Sequence, residues 1–485
     1  MHFKQQHIVW FSLLFFGLFV LFATSCNKDD SYIETAVDLR FSTDTILFDT
    51  VFTTIGSSTQ QLIVTNPEDD NLRISRIRLA GGAASNFRIN VDGQSGTDFR
   101  DVEIAPRDSI YIFVEVTVDP NNSNNPMIVT DSIVFETNGN LQDVDLIAYG
   151  RDAYFIVADK SIGNLHYKIV AREGKDTTWT KDKPIVIYGY AVVDSTAWLK
   201  IEAGTEIYFH NNSGLWIYKG GRLTVNGTLN EPVIFQGDRP EEYYEDLPGQ
   251  WDRIWINESD VQSSINYAII RNGFIGLQTE ILQDVMAVNK LELKNTIIEN
   301  MSGAGILSRY YSIDAENVVI TNCQQYCAAL TMGGSYEFRH STFGNYWSYS
   351  TRKTPSLYFN NFYQDPNTLK IYPFDLVQAN FRNCIIYGNL DEEVIPDNSS
   401  QGGQFKFMFD HVLLKTQQNT SDPNHWSAVT KNQDPLFEDT DKNDLHLKST
   451  SAAADKGKAN VPPPLDLDGN QRNTNSPDLG AYEIQ

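Results

Sequence analysis

One short polar stretch of this 485-residue chain concentrates aromatic and basic side chains. It reads NYWSYSTRK and spans residues 345–353. Aromatic rings offer flat apolar faces on which sugar rings can stack, and the cations could pair with an acidic group of a ligand. The stretch is therefore a candidate glycan-binding platform, although its rings could instead cover the edges of neighbouring strands. The candidate residues are Tyr346, Trp347, Tyr349, Arg352 and Lys353.

A second acidic and aromatic stretch, RPEEYYEDLPGQWDRIW, spans residues 239–255. Its length and its Pro and Gly residues predict a loop, where binding residues often lie. Tyr243, Tyr244 and Trp251 are its candidate glycan-binding residues, again with loop packing as the alternative.

No linear catalytic signature is present. The sequence contains neither the Gly-x-Ser-x-Gly pattern of serine hydrolases nor the His-Glu-x-x-His pattern of zinc proteases. His340 lies in a repeated segment, where we expect a turn residue rather than a catalytic base. No catalytic residue is therefore assigned, and the sequence leans towards a protein that is not an enzyme.

Two acidic segments of the sequence are candidates for calcium binding. Asp439 and Asp441 alternate in DTDKND, and Asp466 and Asp468 alternate in DLDGN. Neither segment has the Gly and Glu that an EF-hand loop needs at positions six and twelve. The alternative is that both segments form Asx turns at the end of the repeat array. We expect no other cofactor.

Cysteine use does not indicate a disulfide framework. Apart from Cys26, the chain has Cys323, Cys327 and Cys384, an odd number without zinc-type spacing. We expect small buried residues, with a Cys323–Cys327 bridge as the alternative.

The element that must position these candidates is a repeat. Segments such as NTIIEN and NVVITN recur, each with an apolar pair and a closing Asn. Their spacing of about 22 residues, or twice that, predicts a solenoid built from coils of short parallel strands. Asn tolerates the left-handed turn between strands, and stacked Asn side chains can hydrogen-bond from coil to coil. The predicted ladder consists of Asn272, Asn300, Asn322, Asn345 and Asn389.

Two longer stretches carry a resemblance. Residues 199–237, with repeated Gly-Thr and the closing PVIFQG, resemble the first coils of right-handed parallel β-helix proteins of the pectate-lyase-like superfamily. Residues 434–457 and 466–483 resemble the C-terminus of surface β-helix proteins of the choice-of-anchor Q type. The resemblance implies a β-helix over residues 151–436 and a C-terminal segment, 437–485, that closes the solenoid. The polygalacturonase motifs of that superfamily are missing.

Residues 35–150 predict a separate domain. Period-two strands such as DSIYIFVEVTV alternate with turn residues, which indicates an immunoglobulin-like β-sandwich. The order of segments resembles ASPM/SPD-2/hydin-like domains, which implies a spacer or binding platform. The predicted fold class is thus all-β, a sandwich followed by a β-helix.

The N-terminal residues resemble a targeting signal. Residues 1–25 resemble a bacterial lipoprotein signal peptide, which implies lipidation of Cys26 and anchoring in the outer membrane. Residues 26–34 form a polar tether. Lys28, Asp29 and Asp30 resemble the export signal of Bacteroidetes surface lipoproteins, which implies that the protein faces the cell exterior.

Charge excludes one partner class, because a formal net charge of −24 repels nucleic acid. Three functions remain open. The first is a non-catalytic protein that binds glycan or a cell-surface partner; the second is a polysaccharide lyase or glycoside hydrolase; the third is a structural adhesin or envelope spacer.

Overall fold

The computed structural model describes residues 32–53, 56–119, 127–239, 241–259, 261–281 and 291–485. Cys26 and the Lys28-Asp29-Asp30 triplet lie outside these residues. The described chain is nearly all β-structure, which confirms the predicted all-β class. Its helical content consists of the 3-10 turns Gly82–Ala84, Glu242–Tyr244 and Thr440–Lys442. None of these described turns has the length or apolar character needed to cross a bilayer.

The chain divides into two compact units, one ending at Arg151 and one spanning Asp152–Gln485. The first unit contains two five-stranded sheets, ordered β1-β3-β8-β5-β6 and β2-β10-β9-β4-β7. Burial alternates along β8, so Ile112 and Val114 face inward while Tyr111 and Phe113 face outward. Buried side chains of both sheets form one hydrophobic cluster. The strands are β1 (Arg40–Phe41), β2 (Thr45–Phe52), β3 (Gln60–Thr65), β4 (Leu72–Leu79), β5 (Phe87–Val91), β6 (Gln94–Gly96), β7 (Asp98–Ile104), β8 (Ser109–Val116), β9 (Met127–Thr137) and β10 (Asn140–Arg151).

The second unit is built on one sheet of 24 described strands. From β13 (Leu165–Ala171) to β23 (Ser263–Asn266) each strand pairs in parallel with the strand three positions later, and beyond β23 longer strands contribute to more than one face. Three strands thus make one coil, and successive coils stack. The strands are β11 (Tyr154–Val157), β12 (Lys160–Ile162), β13 (Leu165–Ala171), β14 (Asp176–Trp179), β15 (Ile185–Tyr188), β16 (Tyr190–Val193), β17 (Trp198–Glu202), β18 (Glu206–Phe209), β19 (Gly214–Ile217), β20 (Arg222–Asn226), β21 (Val233–Gly237), β22 (Trp251–Asn257), β23 (Ser263–Asn266), β24 (Ala268–Arg271), β25 (Gly273–Glu280), β26 (Leu291–Met301), β27 (Ala304–Cys323), β28 (Ala328–Arg339), β29 (Thr342–Asn345), β30 (Leu357–Asn360), β31 (Phe362–Gln364), β32 (Ile371–Pro373), β33 (Leu376–Gly388), β34 (Val394–Asp397), β35 (Met408–Leu414), β36 (Trp426–Lys431), β37 (Phe437–Asp439) and β38 (Asp444–Leu447).

The stacked strands form three faces. Face A contains β15, β18, β21, β24, β29 and the C-terminal parts of β26, β27 and β33. Face B contains β16, β19, β22, β25, β30, β34 and the N-terminal parts of β27 and β28. Face C contains β17, β20, β23, the N-terminal parts of β26 and β33, the middle of β27 and the C-terminal part of β28. Inward-facing Ile, Leu, Val and Phe side chains fill the space between the faces.

Three of the five predicted ladder asparagines are joined. Asn272, Asn300 and Asn322 all have positive φ, at the corner between faces A and B. The Nδ2 of Asn300 donates to Asn272 Oδ1 at 3.2 Å, and the Nδ2 of Asn322 donates to Asn300 Oδ1 at 2.7 Å. Asn345 and Asn389 do not continue this ladder. Asn345 belongs to β29 and accepts from the Cys323 amide, whereas Asn389 donates to the carbonyl of Trp347.

A second asparagine ladder, which was not predicted from the sequence, occupies the corner between faces C and A. Asn317 donates to Asn295, which donates to Asn266, at 3.0 and 2.8 Å. His340 takes the same corner with positive φ, and its buried ring contacts Asn383. Burial lowers the pKa of His340 to about 2. This histidine is therefore a neutral turn residue.

The C-terminal segment does not stack as a further coil, which corrects the expected closing role. Its two strands, β37 and β38, pair only with each other among the described strands. Leu445, Leu467 and Leu479 instead pack against Val319 and Ile385, which point outward from face A. The segment thus covers the outer side of face A.

The three cysteines of the second unit are free and buried. The alternative of a Cys323–Cys327 bridge is therefore wrong. Burial raises the pKa of Cys384 to about 12, so this thiol stays protonated.

Candidate binding strip on face B

The predicted aromatic platform at residues 346–353 does not form. Trp347 is only 5% exposed, and its Nε1 donates to Ser350 at 2.9 Å. The Arg352 side chain is 1% exposed. Neither side chain can meet a ligand, because the segment turns back onto the coil instead of projecting from it.

A buried carboxylate explains the position of Arg352. Its guanidinium makes a 2.5 Å ion pair with Glu393, whose side chain is fully buried. Glu393 also accepts from the amide and hydroxyl of Ser356, each at 2.8 Å, and from the amide of Leu390. A buried cation requires such a partner, so Arg352 fixes the loop and cannot receive an acidic sugar.

Trp251 is also unavailable, contrary to the prediction. It is 1% exposed and lies inside the coil, stacked on Phe209 with ring centroids 4.4 Å apart. Its Nε1 donates to the carbonyl of Arg271 at 2.8 Å. Trp251 points inward together with Ile254 and Ile256, because a register shift between Arg253 and Ile254 interrupts the alternation of β22.

Among the other predicted glycan-binding residues, some side chains are exposed to solvent and others pack against neighbouring residues. Tyr243 is 76% exposed and Tyr349 is 51% exposed. The Tyr349 hydroxyl donates to the carbonyl of Asp246 at 2.9 Å, so the two predicted loops touch. Tyr244 lies under the Arg239 guanidinium, and Tyr346 packs edge-on against Phe437. Lys353 is exposed.

The calcium candidates act as turn and strand contacts. Asp439 accepts from the amide of Asp441, and Asp466 accepts from the amides of Asn470 and Glu483. Asp468 accepts from His446 at 2.8 Å. Within the described ranges, no group of three or more His, Cys, Asp or Glu side chains is placed to hold a metal ion.

Long connections flank a different part of the molecule, face B. The corner between faces A and B carries residues 238–250 and 346–356, and the corner between faces B and C carries the hairpin within 361–375. From β23 to β27 the third corner is turned by single residues such as Asn295 and Asn317. Loops commonly carry binding residues, so face B, which has long loops at both edges, is the best candidate for a binding surface.

Outward side chains on face B form a row from coil to coil, and we call its aromatic and planar polar members the face B strip. At β28 the row carries Ala329 and Thr331, which separate the two parts of the strip. Parallel pairing aligns Trp216 with Trp255, Trp255 with Gln278, and Asn257 with Glu280. Glu280 is aligned in turn with Arg309 on the next coil. The strip comprises Trp216, Tyr218, Asp252, Arg253, Trp255, Asn257, Gln278, Glu280, Arg309, Tyr358, Asn360 and Asp397.

The aromatic end of the strip is a stack. Trp216 and Trp255 lie face to face, with centroids 5.0 Å apart and planes 14° apart. Tyr218 meets Trp216 edge-on at 5.5 Å and is 39% exposed. Since each tryptophan covers a face of the other, the stack shows mainly ring edges on its outer side. The Nε1 of Trp216 is buried without a described hydrogen-bond partner.

Glu280 organises the centre of the strip. Its Oε1 accepts from Trp255 Nε1 at 2.8 Å and from Asn257 Nδ2 at 3.0 Å. Its Oε2 accepts from Gln278 Nε2 at 3.1 Å and from Arg309 Nη1 at 3.0 Å. The carboxylate is nearly buried, whereas the Arg309 side chain is 40% exposed. Glu280 therefore holds in place the partly exposed Trp255, Asn257 and Arg309, together with Gln278, which is only 3% exposed.

A second ion pair lies at the other edge of the strip. Arg253 contacts Asp252 at 2.8 Å and donates to Gln278. Asp252 also accepts from the Tyr190 hydroxyl. Burial, followed by the charge of Asp252, raises the pKa of Tyr190, so this hydroxyl remains a donor.

The far end of the strip repeats the pattern of a carboxylate beside an aromatic ring. The Tyr358 hydroxyl donates to Asp397 at 2.8 Å, and Asn360 donates to that hydroxyl at 3.1 Å. Burial raises the pKa of Tyr358, and Tyr326 packs against its ring at 5.8 Å. Both ends of the strip thus combine rings with planar polar groups.

The strip carboxylates are too far apart to act as a glycosidase pair. Asp252 and Glu280 lie on adjacent coils but about five strand positions apart, which corresponds to about 17 Å between backbones. Glu280 and Asp397 are four coils apart, or about 19 Å. Glycosidases need roughly 5–9.5 Å between carboxyl groups. The arrangement suits hydrogen bonding to hydroxyl groups better than hydrolysis.

Most residues of this strip were not among the residues predicted from the sequence. The usable signal is period-two alternation in GLWIY, WDRIWIN and GLQTE, which points Trp216, Trp255 and Gln278 to one side. Alternation alone does not say which strands are neighbours, and these segments are separated by long stretches of chain.

Comparisons with known proteins add little. No protein-family model and no curated protein matches the sequence. A family 123 glycoside hydrolase from Clostridium perfringens covers 23% of this chain at 9% identity, with a TM-score of 0.17. A protein of unknown function from Porphyromonas gingivalis W83 covers 29% at 11% identity, with a TM-score of 0.16. The chain spans only 26% and 58% of these two structures.

Another solved structure covers more of the chain. The catalytic unit of a GH87 α-1,3-glucanase from Streptomyces thermodiastaticus covers 76% of this chain and is itself covered over 66% of its length. The identity is 10% and the TM-score is 0.24. Two of the three neighbours are glycoside hydrolases, but likeness at this level supports no conclusion about activity.

Proposed function

We propose that this protein is a lipid-anchored cell-surface protein that binds carbohydrate on the face B strip and does not cleave it. The observation that carries the proposal is the strip itself, where planar polar side chains lie between aromatic rings at its two ends. Asn, Gln, Arg and carboxylate groups can each make paired hydrogen bonds to sugar hydroxyls. The long connections at both edges of face B could complete the contact surface.

The fold that we propose to support this strip is a right-handed parallel β-helix, preceded by an immunoglobulin-like β-sandwich. Parallel pairing of every third strand supports the β-helix, and two sheets around one core support the sandwich. Lipidation of Cys26 would anchor the chain in the outer membrane, and the Lys28-Asp29-Asp30 triplet would direct it to the outer face. The sandwich would then be a spacer between the membrane and the strip.

Arg309 provides the test, because its partly exposed guanidinium uses only one described N–H on Glu280. Binding of the purified protein to a polysaccharide array should identify a ligand, and titration should give its Kd. Arg309→Ala should weaken binding about tenfold, which is the usual value of a hydrogen bond from a charged donor.

Arg382→Ala on face C is the matched control. Arg382 is also 40% exposed and pairs with a glutamate, Glu337, at 2.8 Å. Equal losses in the two variants, or no ligand on the array, would remove the support for a face B site. Release of reducing ends or unsaturated uronate from any polymer would instead favour an enzyme.

A further inference from the structure

The charged groups of the face B strip do not favour an anionic ligand. The strip contains two arginines and three carboxylates, which gives a net charge of −1. Both arginines are already paired, Arg253 with Asp252 and Arg309 with Glu280. The charged members are Asp252, Arg253, Glu280, Arg309 and Asp397.

The adjoining loops do not reverse this balance. Arg239 is paired with Glu241 at 3.2 Å. Arg352, which could have received an acidic sugar, is buried against Glu393. The same corner presents Glu245 and Asp246 beside the exposed Lys353, and the hairpin within 361–375 presents Asp365 and Asp375 beside the exposed Lys370. The field across face B is therefore neutral to negative, within a chain of formal charge −24.

We infer that the strip accepts an uncharged polysaccharide and rejects polyuronates and sulfated polymers. The inference rests on the proposed carbohydrate-binding function and specifies its ligand class. Rejection follows because a ligand carboxylate beside Arg309 would also lie beside Glu280. Like charges placed together at an interface are a common device against wrong partners.

Glu280 is the specificity-determining residue in this scheme. Glu280→Gln removes the negative charge and loosens the hold on Arg309, whose guanidinium becomes available to an acidic group. The variant should therefore gain affinity for anionic polymers by at least about fivefold, while its affinity for a neutral ligand should fall or stay equal. Glu337→Gln on face C is the matched control, because Glu337 is also partly buried and pairs with a 40% exposed arginine. It should change neither affinity.

The experiment uses two sets of polymers and the full chain. An array of neutral glucans, galactans, mannans and xylans is compared with polygalacturonate, alginate, chondroitin sulfate and heparin. The neutral polymer that binds best is then lightly carboxymethylated, and both forms are titrated at low and high salt. We expect at least about tenfold weaker binding of the charged form at low salt, with a smaller difference at high salt because screening weakens the repulsion.

Each outcome separates the inference from the proposed function. Equal or tighter binding of anionic polymers overturns the uncharged ligand but leaves carbohydrate binding intact. Loss of binding on carboxymethylation that does not depend on salt indicates steric exclusion and also overturns the electrostatic argument. Absence of binding to every polymer overturns the proposed function and, with it, the inference.

Discussion

Substitutions of Asn300 should change the stability of the protein in a way that depends on the positive φ of this residue, and not only on the loss of its side chain. Asn300 has a φ of 56° and is 1% exposed. Its Oδ1 accepts from Asn322 at 2.7 Å and from Asn443 at 2.9 Å. The corresponding Asn345, on the coil after Asn322, has a negative φ in β29 and accepts from the amide of Cys323.

Replacing either asparagine by Gly or Ala removes the amide, so the two variants at one site differ mainly in backbone cost. At position 300, Ala adds roughly 1–2 kcal/mol of left-handed strain and recovers about 0.4–1 kcal/mol through the unfolded state. The Gly variant should therefore be more stable by roughly 0.5–1 kcal/mol. At position 345, no such strain arises, so Ala should be more stable than Gly by about 0.4–1 kcal/mol. Both Asn300 variants should lose about 1–3 kcal/mol against wild type, because two partly buried donors lose their acceptor.

Urea denaturation followed by tryptophan fluorescence measures these differences for the second unit, which contains both asparagines. Seven of the eight tryptophans lie after residue 151, and the eighth, Trp10, lies in the predicted signal peptide. The expected result is a reversed order of Gly and Ala at the two positions. The same order at both positions would refute the assignment of Asn300 to a left-handed ladder turn.

Three further predictions concern the N-terminal signal, Trp347 and His446. Cys26→Ala should abolish lipidation, and alanines at residues 28–30 should leave the protein facing the periplasm; protease shaving of intact cells that removes this variant and wild type equally would contradict the export signal. Trp347→Ala should lower the free energy of unfolding by about 3 kcal/mol without changing glycan affinity, because Trp347 is buried; a large loss of affinity in a stable variant would restore the platform. The pKa of His446 is raised to about 9, mainly by its hydrogen bond to Asp468. The stabilisation from protonated His446 is therefore fully present below pH 6.5 and lost as the pH rises through about 9. Wild type should lose about 1 kcal/mol relative to His446→Gln between pH 6.5 and 10, a value reduced for solvent screening of this half-exposed ring; parallel stability curves would contradict it.

The all-β class could be predicted because its signals are local. In NTIIEN, the apolar pair and the two asparagines each reflect a requirement of one strand or one turn, and the same requirement recurs in every coil. The ladder was only partly predicted for the same reason. Asn345 has the expected type and spacing, but the loop that follows it carries Arg352, whose contacts with Asn345 and Glu393 replace the tight turn.

Exposure of the loop aromatics could not be inferred from local polarity. STRKTP follows Trp347 and suggests an exposed segment, yet the buried Glu393 lies some forty residues later and draws Arg352 inward. A charged residue in a polar stretch is normally a surface residue, and only its distant partner makes it a buried one. The signal that would identify the pair is correlated substitution between the two positions, which a single sequence does not contain.

The face B strip shows why a candidate site on stacked coils is hard to recognise in the sequence. Parallel stacking joins strands that are far apart in the sequence, so Trp216 and Trp255 become neighbours across 39 residues, and Trp255 and Gln278 across 23. A repeat also fixes the inward positions by packing, while the outward positions remain free to vary from coil to coil. A binding site made from outward positions therefore has no period of its own. Such a site can be recognised only by side chains that come together in the folded chain. In this protein four donors meet at Glu280, and they do so only after the coils have stacked.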